Sequence, residues 1–202
     1  MCFNYHVSIT SFIFGTIWTV FNYYVFKKNS VFLILNTVWF GAILMQLWES
    51  FIWKNYKCEL MSKFAKITNL IQPLLLLLFI PYLLKKNTLK KTDIILVTSV
   101  CIIYILSVKH CLNKKYECVL KKDGVIYEWW NSNNSIVYVI STVILFALLV
   151  KNKRLANYQI GFFLMSLLTS IILYKPSHVA SVWCLFASAA PVFNYILYKF
   201  II

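Results

Sequence analysis

Glu49 lies inside the apolar run VFLILNTVWFGAILMQLWESFIW (residues 31–53), with Gln46 one turn before it and Trp53 one turn after. A carboxylate inside a membrane-length run is costly, and by default it marks a functional site or a satisfied polar contact. Two chemistries fit the residue types. Glu49 with Gln46 can hold a proton, a cation or a small polar ligand. Alternatively, Glu49 with Cys2, His6 and His178 supplies the donor types of a metal site, which needs three or four N, O or S atoms converging. The plain structural alternative has Glu49 protonated, or bonded to Gln46 and a tryptophan indole.

These side chains must be positioned by helices. The chain has 202 residues, 61% of them hydrophobic, well above the 45–50% or so of soluble domains. Its charges cluster between apolar runs, the pattern of a multi-pass membrane protein. The runs predict an all-α, single-domain, integral membrane seven-helix bundle over residues 1–202. The spans are expected at about 6–26, 31–53, 64–84, 92–108, 135–150, 158–174 and 178–198. Pro73 and Pro81 fall in the third span, where prolines are tolerated and bend the helix. A polar connection over residues 109–134 ends at Trp129 and Trp130, read as interfacial anchors.

Parity then groups the candidates without any assumption about orientation. The second span ends on the side where the first, third, fifth and seventh begin. Glu49 stands four residues from that end, about 6 Å at helical rise. Cys2 and His6 at the start of the first span, and His178, Ser181 and Cys184 at the start of the seventh, fall on the same side. Asn69, Gln72, Thr169 and Ser170 lie in the same half. Asn36, Trp39, Ile43, Gln46, Glu49, Ser50 and Trp53 share an arc of about 140° that should face the bundle. Small-residue seams run along the first span (Ser8, Ser11, Gly15, Thr19, Asn22) and the seventh (Ser177, Ser181, Cys184, Ser188, Pro191, Tyr195), as close helix packing requires.

The formal charge is +14, but the lysines flank spans and form no continuous basic face. Anionic lipid headgroups are therefore the expected partner, with no nucleic acid. Of the 20 basic residues only Arg154 is not lysine; with abundant Ile and Asn this points to an A/T-rich genome, as in intracellular parasites, symbionts or large DNA viruses. A viral source would put the chain in a host or virion membrane. The start carries no basic segment or small-residue cleavage site, so the first span reads as retained. Basic residues divide equally between the two sides; the uncharged start followed by Lys27 and Lys28, and the acids accompanying the lysines opposite, favour amino terminus out and carboxyl terminus in. Cys58, Cys111 and Cys118 share one side. A disulfide among them, with Cys111–Cys118 closing a short loop, and free thiols both fit, and no spacing is a zinc pattern.

Met1-Cys2-Phe3, the Gln46 and Glu49 pair with Trp53, and Ser181-Val182-Trp183-Cys184 occur in this order from end to end. In this the chain resembles an uncharacterised, mainly bacterial family of multi-pass membrane proteins. Its members begin Met-Cys-Phe-Ser, carry a Gln and Glu pair in the second span and end with a Ser-Val-Trp-Cys helix. Asn4 replaces the Ser, and His6 is outside the pattern. The family has no established activity, so the resemblance implies site residues, Cys2, Gln46, Glu49, Ser181, Trp183 and Cys184, and no reaction.

Other assignments fail on specific residues. A retinal protein needs a lysine within the last span, and Lys199 lies beyond it. Asp-Arg-Tyr and Asn-Pro-x-x-Tyr receptor signatures are absent. With only His6, His110 and His178 there is no His-x-x-x-His zinc site. Nucleotide-binding glycine motifs and a Gly-x-Ser-x-Gly elbow are also missing. The sequence requires no cofactor. The leading expectation is a non-enzymatic binding or transport-type protein with a small ligand or ion at Glu49. One alternative is a membrane-embedded metal or redox enzyme using Cys2, Glu49 and Cys184; the other is a structural envelope or organelle membrane protein without ligand.

Overall fold

The computed structural model describes residues 4–113, 119–121, 124–126, 133–173, 183 and 185–201. Helix α1 is Tyr5–Val25 and α2 is Ser30–Trp53. Each starts on an asparagine whose side chain caps the first turn: Val7 N–H donates to Asn4 Oδ1 at 3.0 Å and Phe32 N–H to Asn29 Oδ1 at 3.3 Å. Asparagine suits this position because its short side chain reaches the unpaired amides of the first turn.

The third rod is continuous but bent. It comprises α3 (Cys58–Leu75), a 3-10 turn at Leu76–Leu78 and α4 (Phe79–Lys85). Pro73 and Pro81 bracket the turn, and the amide each lacks removes one hydrogen bond from the α-helical ladder. Then follow α5 (Lys91–Asn113), a small antiparallel hairpin of β1 (Val119–Lys121) and β2 (Gly124–Ile126), α6 (Asn133–Leu149) and α7 (Lys153–Leu173). The last rod is α8 (Ala190–Ile201). The fold is thus all-α, with seven helical rods among the described residues.

Helix α5 runs on to Asn113 and α7 starts at Lys153, each five residues beyond the expected span, and two other boundaries differ in ways that matter to the site. The third rod begins at Cys58, where hydropathy alone starts it at residue 64, so Lys66 is two turns inside the helix. The seventh, expected unbroken from 178 to 198, is interrupted by a turn at Ser188 and Ala189. Ser188 and Ala189 N–H instead reach back three residues, to Leu185 O and Phe186 O, because Pro191 cannot continue the ladder.

Helix α2 is the axis of the bundle. It packs against α1, α3 and α8, and no residue from 31 to 53 is exposed. Two glycines permit close approach. A Cβ at Gly15 of α1 would meet Ile43 Cδ1 at 2.9 Å, and one at Gly41 would meet Leu75 Cδ1 of α3 at 2.5 Å. Helices α5, α6 and α7 pack in succession around the far side of α3.

Four helical segments are long and apolar enough to cross a membrane: Ser30–Trp53, Cys58–Lys85, Lys91–Lys109 and Lys153–Ile172. The outward faces agree. Helix α5 exposes Ile95, Leu96, Ile102, Ile103 and Leu106, and α7 exposes Met165, Leu168 and Ile172. Exposed apolar faces of this kind suit lipid.

Candidate functional site

The site is built on the antiparallel pair α2–α3, reversed within the residues 54–57. Asn55 (φ 53°) and Lys57 (φ 43°) take left-handed conformations to do this. Asparagine adopts that region readily, whereas lysine is strained there. Two hydrogen bonds set the register between the helices. Gln72 Nε2 donates to Gly41 O at 3.2 Å, and Trp48 Nε1 donates to Thr68 Oγ1 at 2.9 Å. Stepping along α2 to Glu49 and back along α3 by the same rise arrives at Ala65 and Lys66. Asn69 falls level with Met45 and Gln46.

The pair has two flanks of different character. Trp48 stacks on Phe64, ring centroids 5.2 Å apart, and Phe64 is exposed, so this flank is the outer one. The opposite flank is buried and polar: Glu49 is 1% exposed, Lys66 6%, and Gln46, Asn69 and Gln72 are also inside. Gln46 Nε2 donates to Glu49 Oε2 at 3.2 Å, as the i, i+3 spacing allows. Gln46, Glu49 and Lys66 all have partners. Asn69 does not: neither its Oδ1 nor its Nδ2 has a hydrogen-bond partner among the described residues. Pro73, four residues on, also has no N–H to offer the Asn69 carbonyl. Orphaned buried amides are rare because each costs about 1–3 kcal/mol.

One turn further, Gln72 ties the layer to the rest of the bundle. Its Oε1 accepts from Tyr138 Oη of α6 at 2.7 Å. Gln72, Tyr138, Trp39, Thr142 and Trp183 line a small cavity of about 20 Å³, room for a single water. Trp183 is buried, packed edge-on to Tyr138 and Phe163, and its indole donates to Ser166 Oγ at 3.0 Å. Through Tyr138 it is linked to Gln72.

The remaining sequence candidates divide. His6 is exposed, its ring edge-on to Tyr5 at 5.3 Å, and Lys54 Nζ stands 4.2 Å over that Tyr5 ring. The start of α1 thus lies beside the end of α2. Cys2, His178, Ser181 and Cys184 lie outside the described residues, as do the side chains of Cys111 and Cys118. Among the described residues no three His, Cys, Asp or Glu side chains gather as metal ligands. Cys58, at the start of α3, is disulfide-bonded and Cys101 is a free thiol.

Sequence reasoning missed Lys66, although Lys66, Asn69 and Gln72 recur every three residues on one side of α3. It also missed a second polar layer in the opposite half of the bundle. There Asn36 Nδ2 donates to Thr19 O at 3.0 Å and Asn22 Nδ2 to Pro191 O at 2.7 Å and Asn36 Oδ1 at 3.2 Å. Trp39 Nε1 donates to Gln159 Oε1 at 2.7 Å, and Gln159 Nε2 to Asn194 Oδ1 at 2.8 Å. This layer joins α1, α2, α7 and α8 through amide, indole and carbonyl groups, and its bonds hold these helices together.

Comparison of the chain with protein-family models, curated proteins and solved structures finds no match.

Proposed function

We propose that the chain is a multi-pass integral membrane protein of binding or transport type, with its ligand site on the inner flank of α2–α3. The observation that carries this is the buried set Glu49, Lys66 and Asn69, one amide of which has no partner among the described residues. Charges and orphaned amides are expensive away from water and are kept where they act. The resemblance through Met1-Cys2-Phe3, Gln46 and Glu49, and Ser181-Val182-Trp183-Cys184 points to Gln46 and Glu49 as site residues and to no particular activity.

The proposal includes an orientation. The end of the bundle that carries Cys58 faces an oxidising compartment, since its disulfide persists only there. The opposite end carries Lys27, Lys28, Lys85, Lys86, Lys90, Lys91, Lys151, Lys153, Arg154 and Lys199 with Asp93 as its one acid, which suits an anionic cytoplasmic leaflet. The amino terminus is then outside, and the Glu49 layer is reached from outside.

Two experiments test this. In proteoliposomes, wild-type protein should speed equilibration of a pH dye, a cation dye or labelled small solutes relative to protein-free vesicles, and Glu49→Gln should slow it. Equal rates for the two proteins would refute the assignment of Glu49. For orientation, Asn55→Cys should react with an impermeant maleimide applied to intact cells beyond the wild-type background. Asn87→Cys should react only after permeabilisation; the reverse pattern would invert the bundle.

A further inference from the structure

Resting on the reading of the chain as a multi-pass membrane protein, we infer a second binding surface, apart from the Glu49 layer. The outer face of α6 and the basic loops at its carboxyl end hold an anionic phospholipid, its acyl chain along α6 and its phosphate at Lys151. Packing builds the surface. Helix α6 lies against the third rod and has α5 and α7 as its other neighbours, and Ile136, Ile140 and Ile144 remain exposed. Side chains four residues apart share one face of a helix, so the three form a stripe. Further steps of three and four residues carry the line through the exposed Ala147 to Lys151. From Ile140 to Lys151 is about 16 Å at helical rise, close to the half-thickness of about 15 Å of a bilayer's hydrocarbon core. The stripe therefore matches one acyl chain of one leaflet.

At the head of the stripe a single oxygen pins two loops together. Asp93 Oδ2 accepts from Lys90 N–H at 3.1 Å and from Lys151 Nζ at 2.7 Å. The loop before α5 is thereby held to the loop before α7, and with them come Lys91, Lys153 and Arg154, all exposed. Of these five basic residues only Lys151 has an acidic partner among the described residues. Like charges gathered around one acid repel one another and favour a counter-anion. Their surroundings decide its kind. Exposed Ile94 and Ile95 stand within a turn of Lys91, and the Arg154 guanidinium lies 5.9 Å over the Tyr158 ring, as amphipathic side chains do at headgroup level. A free anion uses the charges alone; an anionic lipid covers the charges and the stripe together.

The test uses the full chain in a neutral maltoside detergent and three probes: phosphatidylglycerol, phosphatidylcholine with the same acyl chains, and inorganic phosphate. Thermal unfolding is the readout. Phosphatidylglycerol should raise the wild-type midpoint by several degrees more than phosphatidylcholine does, and phosphate should leave it unchanged. Replacing Lys90, Lys91, Lys153 and Arg154 together by glutamine should abolish the preference for phosphatidylglycerol. The pair Lys27→Gln and Lys28→Gln, exposed at the same end of the bundle but on the loop between α1 and α2, should keep it. All six positions are exposed, so both variants should fold. A preference that survives the fourfold change, or that the Lys27 and Lys28 pair abolishes, would overturn the placement. A phosphate shift equal to that of phosphatidylglycerol would make the occupant a free anion and overturn the lipid. Equal shifts from the two lipids would overturn the anionic site and leave the membrane reading standing, whereas no shift from either would overturn both.

Discussion

Asn36 and Glu49 stand on the same helix but belong to polar layers built on opposite plans. The Asn36 layer is neutral, links four helices and commits its amides to short bonds with backbone carbonyls, an indole and one another. Two of its buried atoms, Asn22 Oδ1 and Asn194 Nδ2, remain spare. The described residues of the Glu49 layer include an acidic and a basic side chain, Glu49 and Lys66, and leave an entire amide side chain, Asn69, unmet. A neutral network fixes the register of helices at little electrostatic cost, whereas a charged layer with spare hydrogen-bonding groups is an expensive way to do the same.

The neutral layer is most sensitive at Gln159. Replacing it with leucine orphans Trp39 Nε1 and Asn194 Oδ1 together, and each orphan should cost about 1–3 kcal/mol. Chemical unfolding in detergent should therefore show a larger loss for Gln159→Leu than for a single overpacked or surface position; an unchanged midpoint would mean that the neutral layer does not hold the helices. Next is Gly41→Ala. Its Cβ would lie 2.5 Å from Leu75 Cδ1, and overpacking of this kind costs about 1–3 kcal/mol. Gly161→Ala, with nothing within 4 Å of the added carbon, is the control and should be neutral or slightly stabilising in the same assay. The smallest effect should come from Asp93→Asn, which removes the 2.7 Å ion pair with the partly exposed Lys151. Exposed pairs contribute about 0–1 kcal/mol. That difference should shrink in high salt, and a large salt-independent loss would show that this end of α5 is more firmly held than its exposure implies.

The sequence and the structure agree best where a rule is local. Hydropathy locates α1 and α2 to within a residue or two, and the face of α2 that contains Asn36, Trp39, Gln46 and Glu49 is buried. Seams of small residues likewise point inward at Ser8, Gly15, Thr19 and Asn22. Lys66 escaped because a lysine near the start of an apolar run reads as its flank, and only the helix start at Cys58 moves it inside. The opposite layer escaped for a different reason. Gln159 and Asn194 stand singly in apolar runs, and their meeting with Trp39 depends on how α7 and α8 pack on α2, which periodicity within one helix does not encode. The break before Pro191 was not expected, because Pro191 read as part of a packing seam in an unbroken span; its carbonyl, offered to Asn22, depends on the neighbouring helix.

The sign of one variant tests the contrast between the layers most directly. Asn69→Leu, measured by unfolding of the full chain without added ligand beside Gln159→Leu, should be as stable as wild type or more so. It removes a buried amide that has no partner among the described residues, and relief of that cost amounts to at most about 1–3 kcal/mol. A loss of stability matching that of Gln159→Leu would mean that Asn69 is a bonded structural residue, and that the Glu49 layer is a second lock and not a site.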